Sequence, residues 1–229
     1  DEAETSLKDA LAIFERIAGE EHVDHARATL NLALLRHDQG RLDEAETLLD
    51  GAMHHLEQAV GPMHPDFATA LNNRATLALD RGDMERGARL LTRALMIKQK
   101  TVGDAHPSSL VVLKNLARYH KARQNKQQTR QVLEQAATIA LEAFGEQHPE
   151  YGRELAHLGE LARDAQEFGL AEALTRKGAD LLAERLGEKH PEYGRALVAA
   201  ARVHAALGQA EPGQALAEEA VAILGETFG

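Results

Sequence analysis

Along this chain, apolar residues recur at three- and four-residue spacing in blocks of helical length, separated by short polar turns that carry glycine. The pattern repeats. Glycine stands at 19, 61, 103, 145, 187 and 229, a period of 42 residues without insertion or deletion. Each period predicts two helices. In the stretch from Gly61 the first runs from about Pro65 to Arg81, with proline at the first helical position, where its missing N–H costs nothing. Gly40, Gly82 and Gly208, with Gln124 and Gln166 in the other repeats, mark the turn to the second helix. That helix, from about Met84 to Val102, ends at the glycine opening the next repeat, which reads as a left-handed C-terminal cap.

Three columns of the repeat stay small: Ala33, Ala75, Ala117, Gly159, Ala201; Ala3, Ala45, Gly87, Thr129, Ala171, Gly213; and Ala10, Ala52, Ala94, Ala136, Gly178, Ala220. Small side chains at helical spacing mark close helix contacts. Two further columns stay large and apolar, Leu35, Leu77, Tyr119, Leu161, Val203 on the first helix and Leu48, Leu90, Val132, Leu174, Leu216 on the second, and are expected to fill the core. The expected fold is an all-α right-handed solenoid, a superhelix of antiparallel helix pairs counted as one domain over 1–229. Residues 1–18 align on 43–60 and read as the second helix of a truncated repeat. Complete repeats follow at 19–60, 61–102, 103–144, 145–186 and 187–228, so the chain is expected to be a segment of a longer array.

Composition narrows the function. A net charge of -10 disfavours nucleic acid, whose phosphates reward the opposite sign. No apolar run approaches membrane-spanning length, the acidic opening DEAETSLK is unlike a signal peptide, and a cytoplasmic location is expected. The absence of cysteine excludes disulfides and thiolate chemistry. The histidines His22, His64, His106, His148 and His190 recur one per repeat, too far apart along an array to share a metal, and read as junction residues that cap or pack the turn. Adjacent His54 and His55 point in different directions from a helix. Phosphate-loop, dinucleotide, zinc-protease and nucleophile-elbow motifs are missing, so neither an enzyme nor a cofactor is expected.

The frame G-x-x-H-P-x-x-A-x-x-L-N-N-x-A-x-L, then Gly, then D-E-A-E and a closing A-L-x-I, resembles the 42-residue tetratricopeptide repeats of kinesin light chains and their bacterial relatives. The resemblance covers essentially the whole chain and is clearest from His22 and from His64. The last two repeats keep HPEYGR but lack asparagine on their first helices. It implies a protein-interaction module whose first helices line a concave surface.

On a helical wheel, the arc of the first helix opposite the core columns collects eight Lys or Arg and four Asp or Glu, a positive face on a negative chain. It includes Arg27, Asn31, Asn72, Asn73, Lys114, Asn115, Arg118, Lys121, Arg153, His157, Arg163, Arg195 and Arg202. The resemblance implies that Asn31, Asn72, Asn73 and Asn115 hold the backbone of an extended, acidic partner segment. The same asparagines could instead bridge neighbouring helices. Lys114, Arg118 and Lys121 follow i, i+4, i+7 and form a basic stripe beside Asn115. With Arg153, His157, Arg195 and Arg202 they complete the candidate peptide-binding set. Arg74, alone among Leu32, Leu116, Leu158 and Ala200 in its column, is expected to lay its stem over the core. Two other functions fit the pattern: a sensing region of a larger nucleotide-switch or effector protein, and a self-assembly module joined through the ends of the array.

Overall fold

The computed structural model describes residues 2–228, with side chains described from 4 to 225. Among these the chain is helical throughout and forms two compact units, 1–104 and 105–229. The first unit holds α1 (Glu2–Ala18), α2 (Val23–Asp38), α3 (Leu42–Val60), α4 (Pro65–Asp80) and α5 (Met84–Val102). The second holds α6 (Leu110–Ala122), entered through a 3-10 turn at Pro107–Ser109, then α7 (Lys126–Phe144), α8 (Pro149–Asp164), α9 (Phe168–Leu186), α10 (Pro191–Ala206) and α11 (Ala210–Phe228). Within each repeat the two helices pack as an antiparallel pair. Within each unit successive first helices also touch, α2 against α4 in one and α6 against α8 against α10 in the other.

Each first helix starts on its junction histidine. The Nδ1 atoms of His22, His64, His106, His148 and His190 accept the backbone N–H two residues on, at 3.2, 3.2, 3.1, 3.1 and 3.1 Å. The imidazole thus replaces the usual Ser or Asp cap, satisfying one orphan donor of the first turn. Each first helix also ends alike. The residue after the turn glycine or glutamine donates back to the carbonyl five residues earlier, as in Arg41 to Arg36, Asp83 to Ala78 and Asn125 to His120. This closure requires a left-handed residue, supplied by Gly82 at φ 84° and, at a steric cost, by Gln124 at φ 56° and Gln166 at φ 62°.

The glycines that close the second helices do not adopt the expected left-handed cap. Gly61, Gly103, Gly145 and Gly187 combine positive φ with ψ of 164°, 159°, 153° and 153°. That region is open essentially to glycine alone. At Gly61, Gly145 and Gly187 the conformation turns the carbonyl to accept the N–H of the junction histidine, as in His64 to Gly61 at 3.2 Å.

The small columns form the seams of the helix pairs: Ala45, Ala52, Ala75, Ala94, Ala136, Ala171 and Ala220 are completely buried. The second-helix column beginning at Leu48 is less central than expected, with Leu48, Leu90, Val132 and Leu216 only half-buried. Its neighbour, one residue on, carries the core: Leu49, Leu91 and Leu133 are 2 %, 0 % and 0 % exposed. Adjacent columns differ by 100° on the helix, and the lie of the first helix decides which one it covers. Arg74 is buried, and it does more than cover the core. Its guanidinium donates to Asp50 at 2.9 Å and to Glu46, both on α3.

Candidate functional site

The first helices present their arc residues on one face of each unit, and burial divides them. In the first unit Asn31 is exposed, Asn73 is half-buried and Asn72 is buried. Asn72 sits in the column of Leu30, and its side-chain amide donates to the Asn73 Oδ1 at 3.3 Å. In the second unit Asn115 is buried and accepts from Arg118 at 3.4 Å. Of these asparagines Asn31 and Asn73 reach the surface, whereas Asn72 and Asn115 are buried, each within its own unit.

Beside Asn73 lies a notch of about 30 Å³, rimmed by Leu34, His37 and Thr76 and floored by Leu49 and Leu77. Leu34 is 47 % exposed, as is Val111 at 44 % on α6, so the face carries apolar contact points between its polar groups.

The basic residues of the arc are tied to acids. Arg27 pairs with Asp24 at 2.8 Å and with Asp66 of the next first helix at 2.7 Å. Lys114 reaches Glu154 at 3.1 Å, Lys121 reaches Asp164 at 3.3 Å, and Arg202 reaches Glu160 at 2.7 Å, each spanning adjacent first helices. Arg153 and Arg195 pair within their own helices, with Glu150 and Glu192, and Arg163 pairs with Asp164. Asp24, Asp66, Glu150, Glu154 and Glu192 lie on columns flanking the arc, so charge counted over the arc alone overstates how positive the surface is. Arg118, Lys121, Arg195 and Arg202 remain exposed despite these contacts. Such pairs contribute about 0.2–1 kcal/mol each.

Two residues outside the expected set, His37 and Lys98, bear on the face, as does His157 from within it. His37 sits between Asp80, at 2.7 Å from Nε2, and Asp38, at 3.5 Å from Nδ1. Lys98 of α5 is 4 % exposed and sends its ammonium to the Thr69 hydroxyl at 3.3 Å; desolvation holds its pKa below the ordinary lysine value, with Asp66 opposing. His157 is held towards its neutral form by desolvation first and then by Lys114. The inter-repeat pairs lie 39–43 residues apart in sequence, and aligning columns in search of opposite charges at that spacing would have found them. Nothing in the sequence distinguishes Lys98 as a residue that reaches the first helix.

Among the described residues no group of three or more His, Asp or Glu side chains could hold a metal, and no helix is long and apolar enough to cross a membrane.

Comparison with curated protein sequences gives no match. Among solved structures the chain is similar to BtubC (BKLC) from P. vanneervenii, at 18 % identity and a TM-score of 0.75, covering 100 % of this chain and 90 % of that one. It is also similar to a putative kinesin light chain with nearly identical TPR-like repeats from Podosopora anserina, at 25 % identity and a TM-score of 0.74, covering 90 % of this chain and 98 % of that one. A third similar structure is the Rap conjugation gene regulator of the plasmid pLS20 in complex with the Phr* peptide, at 12 % identity and a TM-score of 0.60, covering 90 % of this chain and 55 % of that one. The tetratricopeptide repeat family matches residues 1–62 and 66–142, more than half of the sequence. Paired helices, small-residue seams and this match agree: the chain belongs to the tetratricopeptide repeat family.

Proposed function

We propose that the chain is a non-catalytic protein-interaction module that binds an extended segment of a partner protein on its first-helix face. The observation that carries this reading is the composition of the face in the first unit. An exposed Asn31, a half-buried Asn73 and an apolar notch beside it offer backbone hydrogen bonds and a side-chain seat. The Rap regulator, which shares the fold, is in complex with a peptide. In the second unit Lys114, Arg118, Lys121, Arg153, His157, Arg195 and Arg202 form the corresponding polar face. Their exposed members suit acidic residues of the partner, which exchange with the resident carboxylates. The 3 % aromatic content provides few large anchors, so affinity is moderate.

The test is capture from native lysate by the chain and by an Asn31→Ala, Asn73→Ala, Arg118→Ala variant, after circular dichroism has shown equal helicity. A partner lost from the variant supports the face. A partner retained by both moves the site elsewhere on the protein.

A second reading, self-association, is favoured by an open apolar cleft of about 500 Å³ on α10 and α11, lined by Val198, Ala205 and Val221, the last 69 % exposed. Light scattering across concentration distinguishes it.

A further inference from the structure

Three departures from the repeat meet at one place in the second unit. The turn between paired helices carries Gly40, Gly82 and Gly208 in three repeats, but Gln124 and Gln166 in the other two. Both glutamines hold the left-handed conformation, at φ 56° and 62°, at a steric cost that glycine avoids. Two residues after the first of them stands Lys126, in a column that elsewhere reads Leu42, Met84, Phe168 and Ala210. A cavity of about 370 Å³ opens where the α6–α7 and α8–α9 turns stand side by side, and Gln124, Lys126 and Gln166 all line it, together with Lys121 and Asp164. Buried Thr129 and Ala165 complete the lining. The matching positions of the first unit, His37, Gly40, Leu42, Asp80 and Gly82, hold neither lysine nor glutamine.

The lining is rich in donors, and its one acid is already compensated. Arg163 donates to Asp164 Oδ1 at 3.1 Å through Nε and at 2.6 Å through a terminal nitrogen, while Lys121 reaches Oδ2 at 3.3 Å. Asp164 therefore keeps a base when the Lys121 ammonium turns to a ligand. The flanking acids Glu160 and Glu167 have bases of their own, Arg202 at 2.7 Å and Arg130 at 3.8 Å. Among the described residues the side chains of Gln124, Lys126 and Gln166 make no hydrogen bond or ion pair. Two ammoniums and two carboxamides thus border one cavity, each ammonium with three N–H donors and each amide with two.

We propose that this cavity is a binding site for a phosphate monoester. Two ammoniums match the charge of about -1.5 to -2 that a monoester carries at pH 7, and its three terminal oxygens accept from Lys121, Lys126 and the Gln124 and Gln166 amides. A monocarboxylate brings one charge and two oxygens, and leaves donors unmet. A volume of about 370 Å³ falls in the range of small-ligand pockets, so the organic part of the ester enters as well. The strained glutamines are accounted for, because glycine at 124 and 166 would relax the backbone and remove two of the donors. The site goes beyond the partner-binding function proposed above and shares only Lys121 with its residues.

The probes are phenyl phosphate, benzoate, ribose phosphate and a blocked pentapeptide with a central phosphoserine, each titrated into the whole chain by isothermal titration calorimetry at low salt. Phenyl phosphate is expected to bind saturably, and about five-fold or more tighter than benzoate. Lys126→Gln should weaken it about five-fold, whereas Lys189→Gln, an equal charge change at an exposed position between α9 and α10, should move it less than about two-fold. The Gln124→Gly, Gln166→Gly variant should bind about ten-fold more weakly yet melt at or above the wild-type Tm, a combination that a purely structural role for these side chains does not produce. Lys126→Gln, on an exposed side chain, carries the test should the glycine variant lose helicity. Tighter binding of ribose phosphate assigns the site to a free metabolite, and tighter binding of the peptide to a phosphorylated partner chain; both support a phosphate site. The inference is overturned by the absence of saturable phosphate binding, by benzoate binding as tightly as phenyl phosphate, by equal losses from the two lysine variants, or by a glycine variant that binds like wild type. None of these results bears on partner capture by the first-helix face.

Discussion

At Gly178 the seam between α8 and α9 leaves no room for a methyl group. A Cβ built there would lie 2.7 Å from the Gly152 carbonyl oxygen, 3.0 Å from the Ala156 nitrogen and 3.3 Å from the Leu155 Cβ. The first two are backbone atoms of the facing helix, which cannot rotate aside, so accommodation requires the helices to separate. The same column holds Ala52, Ala94, Ala136 and Ala220 in other repeats, where the pair is spaced for a methyl. Gly178→Ala gains helix propensity of about 1 kcal/mol. Overpacking costs about 1–3 kcal/mol and here falls at the upper end, because the obstruction is backbone on two sides. The net expectation is destabilisation of about 1–2 kcal/mol, a fall in Tm of roughly 2–8 °C for a chain of this size. Gly51→Ala is the matched control: mid-helix in α3, exposed, with nothing within 4 Å of the added Cβ. It should raise Tm by about 2–4 °C through propensity alone. Thermal unfolding followed by circular dichroism reads both. A Gly178→Ala protein as stable as Gly51→Ala would refute the close approach at this seam.

Three further outcomes follow from the local structure. His64→Ala removes the acceptor for the Asp66 N–H and should cost about 1 kcal/mol in urea unfolding, whereas His64→Asn keeps a capping oxygen and most of the stability. Gln124→Gly or Gln166→Gly relieves a left-handed strain of about 1–2 kcal/mol but returns about 0.4–1 kcal/mol of entropy to the unfolded chain, so each should be stabilising by up to about 1 kcal/mol in the same assay. Hydrogen bonds from Arg36, then Lys8, hold the Glu4 carboxyl well below the usual carboxylate range. Its contribution to stability is therefore full above the unfolded glutamate pKa of about 4.3 and is lost as pH falls below it. Glu4→Gln should flatten that part of the stability–pH curve, and an unchanged acid limb would count against the Arg36 pair.

Much of the fold was legible because each repeat reports on the others. The second helix was bounded at Met84 and Val102, as observed, and the first ended at Asp80 rather than Arg81. Small residues at 52, 94, 136, 178 and 220 marked a close seam, since only close approach demands a small side chain in every copy. The choice between the Leu48 and Leu49 columns was not legible, because it depends on how the first helix lies across the second. The candidate face was assigned to the first helices, yet its electrostatics required knowing that residues about 40 apart stand side by side. Arg27 and Asp66, or Lys121 and Asp164, look unrelated in sequence and pair in space. Arg74 looked like a lone departure from an apolar column because its partners, Glu46 and Asp50, belong to the preceding helix.

The central claim, that partners bind on the first-helix face, is tested most directly by photocrosslinking from defined positions. A benzophenone side chain replaces Leu34 or Val111, both exposed on that face, or Thr92, exposed on the second helix α5. Each protein is irradiated with the captured partner and the products are resolved by mass. Crosslinks from 34 and 111 with none from 92 are the predicted result. Crosslinks from 92 alone would contradict it and place the partner on the second helices.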